Sequence, residues 1–441
     1  MKKKEVLTAV ILAAGEGIRQ RANGDCKPLV SLLGLTLIER VILTAKNAGI
    51  KQFHIVVGYK ADKIKKFIGD GHKYGVTIEY ILNDEWKRGN GVSVLKAKLR
   101  MHRPFVLLMA DHLFEENILQ KLQESTIGED ECILCIDRNG RNYLDVEDAT
   151  KVITENRRII DIGKRLKRYD GIDTGIFLCT PVIFDALEES IRGGDETLSA
   201  GIKILANRGR MNTLDISNGF WLDVDAPKDL KNAESLLCKQ LEKKTDGPVS
   251  RFINRPISIR ISKWFLKTGM KPNQISLLSF FIGILGALFF SLGNNINLVI
   301  GGLLVQLSSI IDGCDGEVAR LKFLATNFGG WFDAILDRYA DALIILGMIY
   351  GHWTMHNDVM VWLVGFAALV GGFMNSYTAH KYDSFLKGRT RPEVRLGRDI
   401  RIFIILIGAL FNQVFTTLLV LAVLTNFESI RRVLVLRNEL D

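Results

Sequence analysis

Four carboxylates stand in the apolar half of this chain, in the pattern Asp312-x-x-Asp315-Gly316-x-x-Ala319-Arg320, then eight residues, then Gly329-x-x-x-Asp333-x-x-x-Asp337. Uncompensated negative charge is costly in such a setting. On helices, spacings of three and four put each pair of acids on one face. Two such helices side by side would gather four acids into one pocket, which needs cations to be stable. Hard oxygen ligands suit Mg²⁺, Mn²⁺ or Ca²⁺ rather than zinc. Gly316 and Gly329 leave room for a ligand to approach the backbone. The plainer alternative is a set of helix-end carboxylates paired with Arg320, Lys322 and Arg338.

At 441 residues the chain is long enough for two domains, and its 48% hydrophobic content is unevenly spread. Up to about residue 245, charges mix with short apolar runs. From about 275 onward, apolar segments near membrane-spanning length dominate. Candidate spans cover about 275–292, 296–316, 329–351, 359–380, 400–411 and 413–430, with a tight hairpin at Asn412-Gln413. Alternate connections lack Lys and Arg; the others carry Arg320 and Lys322, or the run Lys381, Lys387, Arg389, Arg391, Arg395, Arg398 and Arg401. That alternation predicts a multi-pass protein of the cell membrane with both termini and the acidic motif cytoplasmic. Pro256 to Lys267 reads as an amphipathic helix lying on the bilayer, with Ile257, Ile261, Trp264 and Phe265 as its apolar face; packing on the soluble domain is the alternative. The net charge of +9 gathers beside apolar segments, which favours a membrane surface over nucleic acid. The six scattered cysteines read as core thiols of a reducing compartment.

The first part alternates strand-like and helix-like runs, which argues for a mostly parallel sheet covered by helices on both faces. Its first strand enters Ala14-Gly15-Glu16-Gly17, with Arg19 and Lys27 following. A glycine-rich turn at the end of a first parallel strand exposes N–H groups that can hold phosphate. Arg19 and Lys27 can neutralise a departing pyrophosphate. The third glycine of a dinucleotide fingerprint is missing.

The acidic motif resembles, position by position, the signature of the CDP-alcohol phosphotransferases. That resemblance implies a membrane-embedded helical enzyme that displaces CMP from a CDP-linked alcohol. It makes Asp312, Asp315 and Asp333 ligands of a two-metal site and Asp337 a metal-proximal general base. Gly316, Ala319, Arg320 and Gly329 become the cytidine-diphosphate cradle. Residues 5–240 resemble the sugar-nucleotide and polyol-phosphate nucleotidyltransferases through the Gly15–Lys27 region, Asn83, Gly89-Asn90-Gly91, Asp111-His112 and the Trp221–Asp225 segment. By that resemblance Asp111 and either Asp223 or Asp225 hold Mg²⁺. Ala14, Gly15, Gly17, Asn83, Gly89 and Asn90 meet the nucleotide, while Lys164 and Asp173 meet the polyol phosphate. Asp225-Ala-Pro has a second reading as the cap of the next helix.

The pairing of the two halves resembles the archaeal and bacterial bifunctional enzymes that fuse inositol-1-phosphate cytidylyltransferase to di-myo-inositol-phosphate phosphate synthase. The expected fold is an α/β Rossmann-like nucleotidyltransferase domain (1–240), a linker with an interfacial helix (241–272), and an all-α membrane domain of six transmembrane helices (273–441). The resemblance implies CTP, inositol 1-phosphate and CDP-inositol as substrates and intermediate, Mg²⁺ or Mn²⁺ in both sites, and a homodimer through the membrane helices. Arg398 and Arg401 are candidates for the acceptor's phosphate, with a lipid anchor as the alternative use of that basic stretch. Three rival readings are a phospholipid head-group synthase, a membrane enzyme with a nucleotide-sensing domain, and a transporter with intramembrane acids.

Overall fold

The run Thr8–Ala13 is apolar on both faces, as a strand buried in the middle of a parallel sheet must be. In the computed structural model, which describes residues 6–17, 26–140, 146–242, 246–385 and 396–440, the chain divides into two units between Leu236 and Leu237. The first unit begins with β1 (Thr8–Ala13), β2 (Ser31–Leu32), β3 (Leu35–Thr36), α1 (Leu37–Asn47), β4 (Gln52–Val57), α2 (Ala61–Ile68), β5 (Thr77–Leu82) and α3 (Asn90–Leu95). It continues through β6 (Phe105–Met109), β7 (His112–Phe114), α4 (Glu116–Glu124), β8 (Cys132–Asp137), β9 (Lys151–Glu155) and β10 (Arg158–Gly163). It closes with β11 (Gly171–Cys179), α5 (Val182–Arg192), α6 (Leu198–Asn207), β12 (Met211–Asp215), β13 (Trp221–Asp223) and α7 (Pro227–Lys239).

The main sheet has the order β5-β4-β1-β6-β11-β8-β12-β10-β9. Strands β5, β4, β1 and β6 are parallel, in agreement with the alternating pattern. From β11 onward the sheet is mixed, which departs from the mostly parallel expectation. One cause is local. Asn156 and Arg157 both take positive φ and close a two-residue hairpin between β9 and β10, a connection available only to antiparallel strands. Ile11 and Ala13 enter the core on one face, and Val10 and Leu12 the core on the other. The carboxyl ends of β1, β4, β5 and β6 deliver Gly15, Gly58, Asn83 and Asp111 to one edge, where open α/β sheets bind ligands.

The second unit is helical: α8 (Arg255–Thr268), α9 (Pro272–Ser291), α10 (Asn295–Leu321), α11 (Asn327–His356), α12 (Met360–Phe385), α13 (Arg398–Leu410) and α14 (Val414–Leu440). Asn412, at φ 55°, makes the short turn between the last two. Among the described residues, α9, α10 and α12 hold stretches long and apolar enough to cross a membrane. The segment α11 has the length, but its first half carries Asp333, Asp337, Arg338 and Asp341. Glycine lets these helices approach closely: a Cβ on Gly347 would lie 2.2 Å from the Ala287 carbonyl, and one on Gly351 2.0 Å from that of Phe290. Leu277, Phe281, Leu288, Leu363, Phe366 and Phe427 face outward, an apolar exterior that water does not favour.

The expected amphipathic helix forms as α8 with an unusual division of faces. Ile257 and Trp264 stay exposed, Phe265 turns inward, and the rest of the buried side is largely polar: Arg255, Ser258 and Ser262. The reason lies on α10, where the Glu317 carboxylate is fully buried. It accepts from Arg255 at 2.7 Å, Ser258 at 2.6 Å and Ser262 at 2.7 Å, and Arg255 also reaches Asp246 at 2.8 Å. Glu317→Ala would take the carboxylate acceptor from Ser262 and from one side of the Arg255 guanidinium and leave Ser258 only its 3.4 Å bond to the Arg255 carbonyl, costing about 3–5 kcal/mol. The detergent-solubilised variant is expected to unfold at an apparent Tm lower by about 10 °C, while Glu317→Gln, which keeps one acceptor oxygen and offers its amide N–H to the other serine hydroxyl, loses less.

Candidate active sites

In the first unit, β7 pairs antiparallel with β13, and the register sets Asp223 directly opposite His112. Directly opposed residues project from the same face. Asp111, His112 and Asp223 offer ligand atoms that all lie within 4.8 Å of one another. Lys27 closes the group from the other side, ion-paired to Asp111 and Asp225. Burial works against its ammonium, but Asp111, Asp223 and Asp225 outweigh that and hold its pKa above the usual lysine range. Burial likewise opposes ionisation of Asp111, yet Lys27 and His112 pull its pKa below the usual carboxylate range. Burial also disfavours a charged His112 ring, while Asp223 and Asp111 draw its pKa up to about 10. Asp173 is pushed up to about 6 by burial, against the Gly175 N–H that its carboxylate accepts at 2.8 Å.

At the start of α7, Asp229 accepts from the Asp225 and Ala226 amides at 3.1 and 2.7 Å, and the Asp225 carboxylate is ion-paired to Lys27. Gly17 takes φ 61°, and a Cβ there would collide with the Lys27 side chain. Ala14 accepts the Tyr59 amide at 3.0 Å, and Gly15 is exposed beside it. Arg19 lies outside the described residues. Asn83 is fully buried, donating to Ser93 at 2.9 Å and accepting from the Glu85 amide at 3.0 Å, so it shapes its loop from inside. Gly89 has no room for a side chain, since a Cβ would lie 2.2 Å from the Glu196 carbonyl. Asn90 accepts from the Leu198 amide at the start of α6. Lys164 is exposed and paired with Asp148 at 2.7 Å, outside the His112 group.

In the helical unit, the acids of α10 and α11 meet as the spacing demands. Asp312, Asp333 and Asp337 offer oxygens within 4.8 Å of one another. Asp315 accepts from Ser276 and from the Gly316 amide, and Asp312 from Ser279 at 3.2 Å. Arg398 enters from α13, its Nη1 lying 2.7 Å from Asp337 and 3.2 Å from Asp312. One turn beyond Asp337 stands Asp341, an acid outside the motif, which accepts from Arg398 Nε at 3.0 Å and lies 3.3 Å from Arg401 Nη1. Spacing alone offered it, because 333, 337 and 341 repeat every four residues.

Arg401 is buried against Asp341, the Gly372 carbonyl and Ser376. The remainder of its basic stretch, 386–395, lies outside the described residues. The Gly329 amide donates the N-cap hydrogen bond of α11 to the Thr326 hydroxyl oxygen at 3.0 Å. Ala319 is half-buried, one residue before Arg320, which donates to the Leu241 carbonyl at 3.4 Å.

Both clusters fit cations. Among the described residues, Asp223 Oδ1 and Asp333 Oδ1 are buried without hydrogen-bond donors, the condition of a carboxylate oxygen built to meet something positive.

Two family models match the chain, a MobA-like NTP transferase domain over residues 9–190 and a CDP-alcohol phosphatidyltransferase over 270–427. A bifunctional IPC transferase and DIPP synthase of Rubrobacter xylanophilus is 37% identical over 440 residues, covering 99% of this chain and 98% of its own. The chain belongs to the bifunctional IPC transferase and DIPP synthase family. A second member, from Aquifex aeolicus, is 37% identical over 437 residues, with 96% of this chain and 97% of its own covered. An archaetidylinositol phosphate synthase of Pyrococcus horikoshii is 30% identical over 190 residues, 43% of this chain and 95% of its own. Like the family, the chain is an enzyme with a nucleotidyltransferase half and a CDP-alcohol phosphotransferase half.

Proposed function

We propose that the first unit joins CTP to inositol 1-phosphate, giving CDP-inositol and pyrophosphate. The second unit then transfers the inositol phosphoryl group to another inositol 1-phosphate, giving di-myo-inositol phosphate phosphate and CMP. The observation that carries this is one acid cluster in each half of a chain that matches bifunctional relatives end to end. The membrane setting we assign is six spans in the cell membrane, with termini and both sites cytoplasmic and a dimer formed through the helices. The alternating Lys and Arg in the connections support that orientation.

In the first reaction a phosphate oxygen of inositol 1-phosphate attacks the α-phosphorus of CTP, and the bond to the β-phosphate breaks. Lys27, held cationic among three acids, lies at the glycine turn and neutralises the phosphates as pyrophosphate leaves. Asp111 and Asp223 or Asp225 hold the cation, with Asp223 nearer His112 and Asp225 engaged by Lys27. Arg19 adds charge, Ala14, Gly15, Gly17, Asn83, Gly89 and Asn90 form the nucleotide's loops, and Lys164 and Asp173 face the polyol phosphate.

In the second reaction a hydroxyl of the acceptor attacks the phosphorus that carries inositol, and its proton passes to Asp337. Asp312, Asp315, Asp333 and Asp337 would hold the cations, and Gly316, Ala319, Arg320 and Gly329 would cradle the CDP group. The Arg320 Nε, buried without a hydrogen-bond acceptor among the described residues, supports that placement. Arg398, tethered through Nε by Asp341, turns Nη1 toward the cluster and can hold the acceptor's phosphate. Mg²⁺, or Mn²⁺, bound in each site supplies neutralisation of the departing pyrophosphate or CMP.

The likeness of the helical half to an archaetidylinositol phosphate synthase favours one second reading, a lipid substrate in place of the soluble acceptor. Solubilised protein given CTP, Mg²⁺ and inositol 1-phosphate separates the two by ³¹P NMR. The expected product is water-soluble and shows one phosphodiester and one phosphomonoester resonance. Pyrophosphate without that product, together with an organic-phase phosphodiester when lipid is added, would overturn the soluble-acceptor reading.

A further inference from the structure

His112 has no part in the roles assigned so far, yet its surroundings are built around it. Its Nδ1–H donates to the Thr174 carbonyl at 2.7 Å, and a carbonyl can only accept, so the proton on that nitrogen is fixed. Nε2 then points at Asp223 Oδ1, 3.5 Å away, and Asp111 Oδ1, 3.8 Å away. Room for the ring comes from Gly175 at φ 70°, where a Cβ would lie 2.4 Å from both His112 Cε1 and Nδ1. The Asp173-Thr174-Gly175 bend thus provides both the acceptor and the space. Asp223 Oδ1, on the other side, is buried and accepts no hydrogen bond among the described residues.

An imidazole pinned through one nitrogen by a backbone carbonyl, with the other facing two carboxylates, is the arrangement by which proteins orient a metal-binding histidine. Ligand atoms on a six-coordinate ion with bonds of about 2.1 Å stand about 3 Å apart when adjacent and about 4 Å when opposite. The spacing here falls between. We propose that His112 Nε2 is a ligand of the cation in the first site, together with Asp111 and Asp223. This rests on the cytidylyltransferase reading and deepens it. The first site is then a mixed nitrogen–oxygen site that binds Mn²⁺ more tightly than Mg²⁺, because imidazole suits first-row transition ions better than it suits Mg²⁺. The helical cluster of Asp312, Asp333 and Asp337 is all oxygen and gains no such preference. One chain therefore holds two cation sites of different chemistry.

The nitrogen makes the test specific. The full-length protein in detergent, loaded with Mn²⁺ alone, is expected to show ¹⁴N modulation in pulsed EPR. His112→Gln should remove it, and Asp337→Ala should keep it. Pyrophosphate release measured against Mn²⁺ and against Mg²⁺ gives a second readout: His112→Gln should weaken the apparent Mn²⁺ affinity about 10–100-fold and leave that for Mg²⁺ less changed. Absence of the ¹⁴N signal in the wild type, or its survival in His112→Gln, overturns the ligand assignment. A purely structural ion pair between His112 and Asp223 would produce that result while pyrophosphate still forms. Failure to form pyrophosphate with either ion would instead overturn the underlying reading of the reaction.

Discussion

Asp337→Ala is expected to abolish CMP release from CDP-inositol while pyrophosphate release from CTP continues at the wild-type rate. Two losses coincide at this carboxylate. Removing a positioned general base alone costs about 10²–10⁴-fold. Asp337 also shares the cation cluster with Asp312 and Asp333, so the stabilisation of the leaving CMP falls with it. Arg398 would then keep Asp312 and Asp341 as partners but lose its 2.7 Å contact, which disturbs the group meant for the acceptor's phosphate. The combined effect should exceed about 10³-fold in kcat. Asp341→Asn provides the contrast. It removes the negative charge and one of the two acceptor oxygens that hold Arg398 and Arg401, without removing a base, so it should raise KM for the acceptor before it lowers kcat. Rates for both half-reactions, measured by ³¹P NMR on the same preparations, decide the matter. CMP release at the normal rate from Asp337→Ala would dismiss Asp337 as the base.

The acid motif was legible because its geometry is local: spacings of three and four residues fix shared helix faces before any tertiary contact exists. The Asn412 turn and the parallel β5-β4-β1-β6 half of the sheet were legible for the same reason. What escaped depends on partners distant in sequence. The pairing of His112 with Asp223 is a strand register across 111 positions, with no trace in either segment alone. The polar underside of α8 makes sense only once Glu317, more than fifty residues away, is known to lie beneath it. The contact of Arg401 with Asp341 likewise joins α13 to α11 across sixty positions, because a buried acid needs a nearby base. Asp341 itself continues the four-residue repeat and could have been found by extending the stripe one turn.

Asp111→Ala is expected to give the reverse of the Asp337 result: no pyrophosphate from CTP, and normal CMP release when CDP-inositol is supplied. Asp111 faces both Lys27 and His112, so its removal acts on three groups at once. A cation bound there would lose a ligand, which would withdraw several kcal/mol of charge stabilisation, on the order of 10³-fold in rate. Lys27 keeps Asp225 and remains cationic, so nucleotide binding should weaken less than turnover falls. The helical chemistry draws on none of these residues, so supplied intermediate bypasses the block. This asymmetry is what separates a catalytic first unit from a nucleotide-sensing one. In a sensor, Asp111→Ala would alter CMP release through lost regulation, and pyrophosphate would be absent from the wild type as well. Equal mixtures of Asp111→Ala and Asp337→Ala proteins sharpen the point. If CDP-inositol diffuses freely between molecules, the mixture should restore overall product formation from CTP and inositol 1-phosphate, since each variant supplies the half-reaction the other lacks.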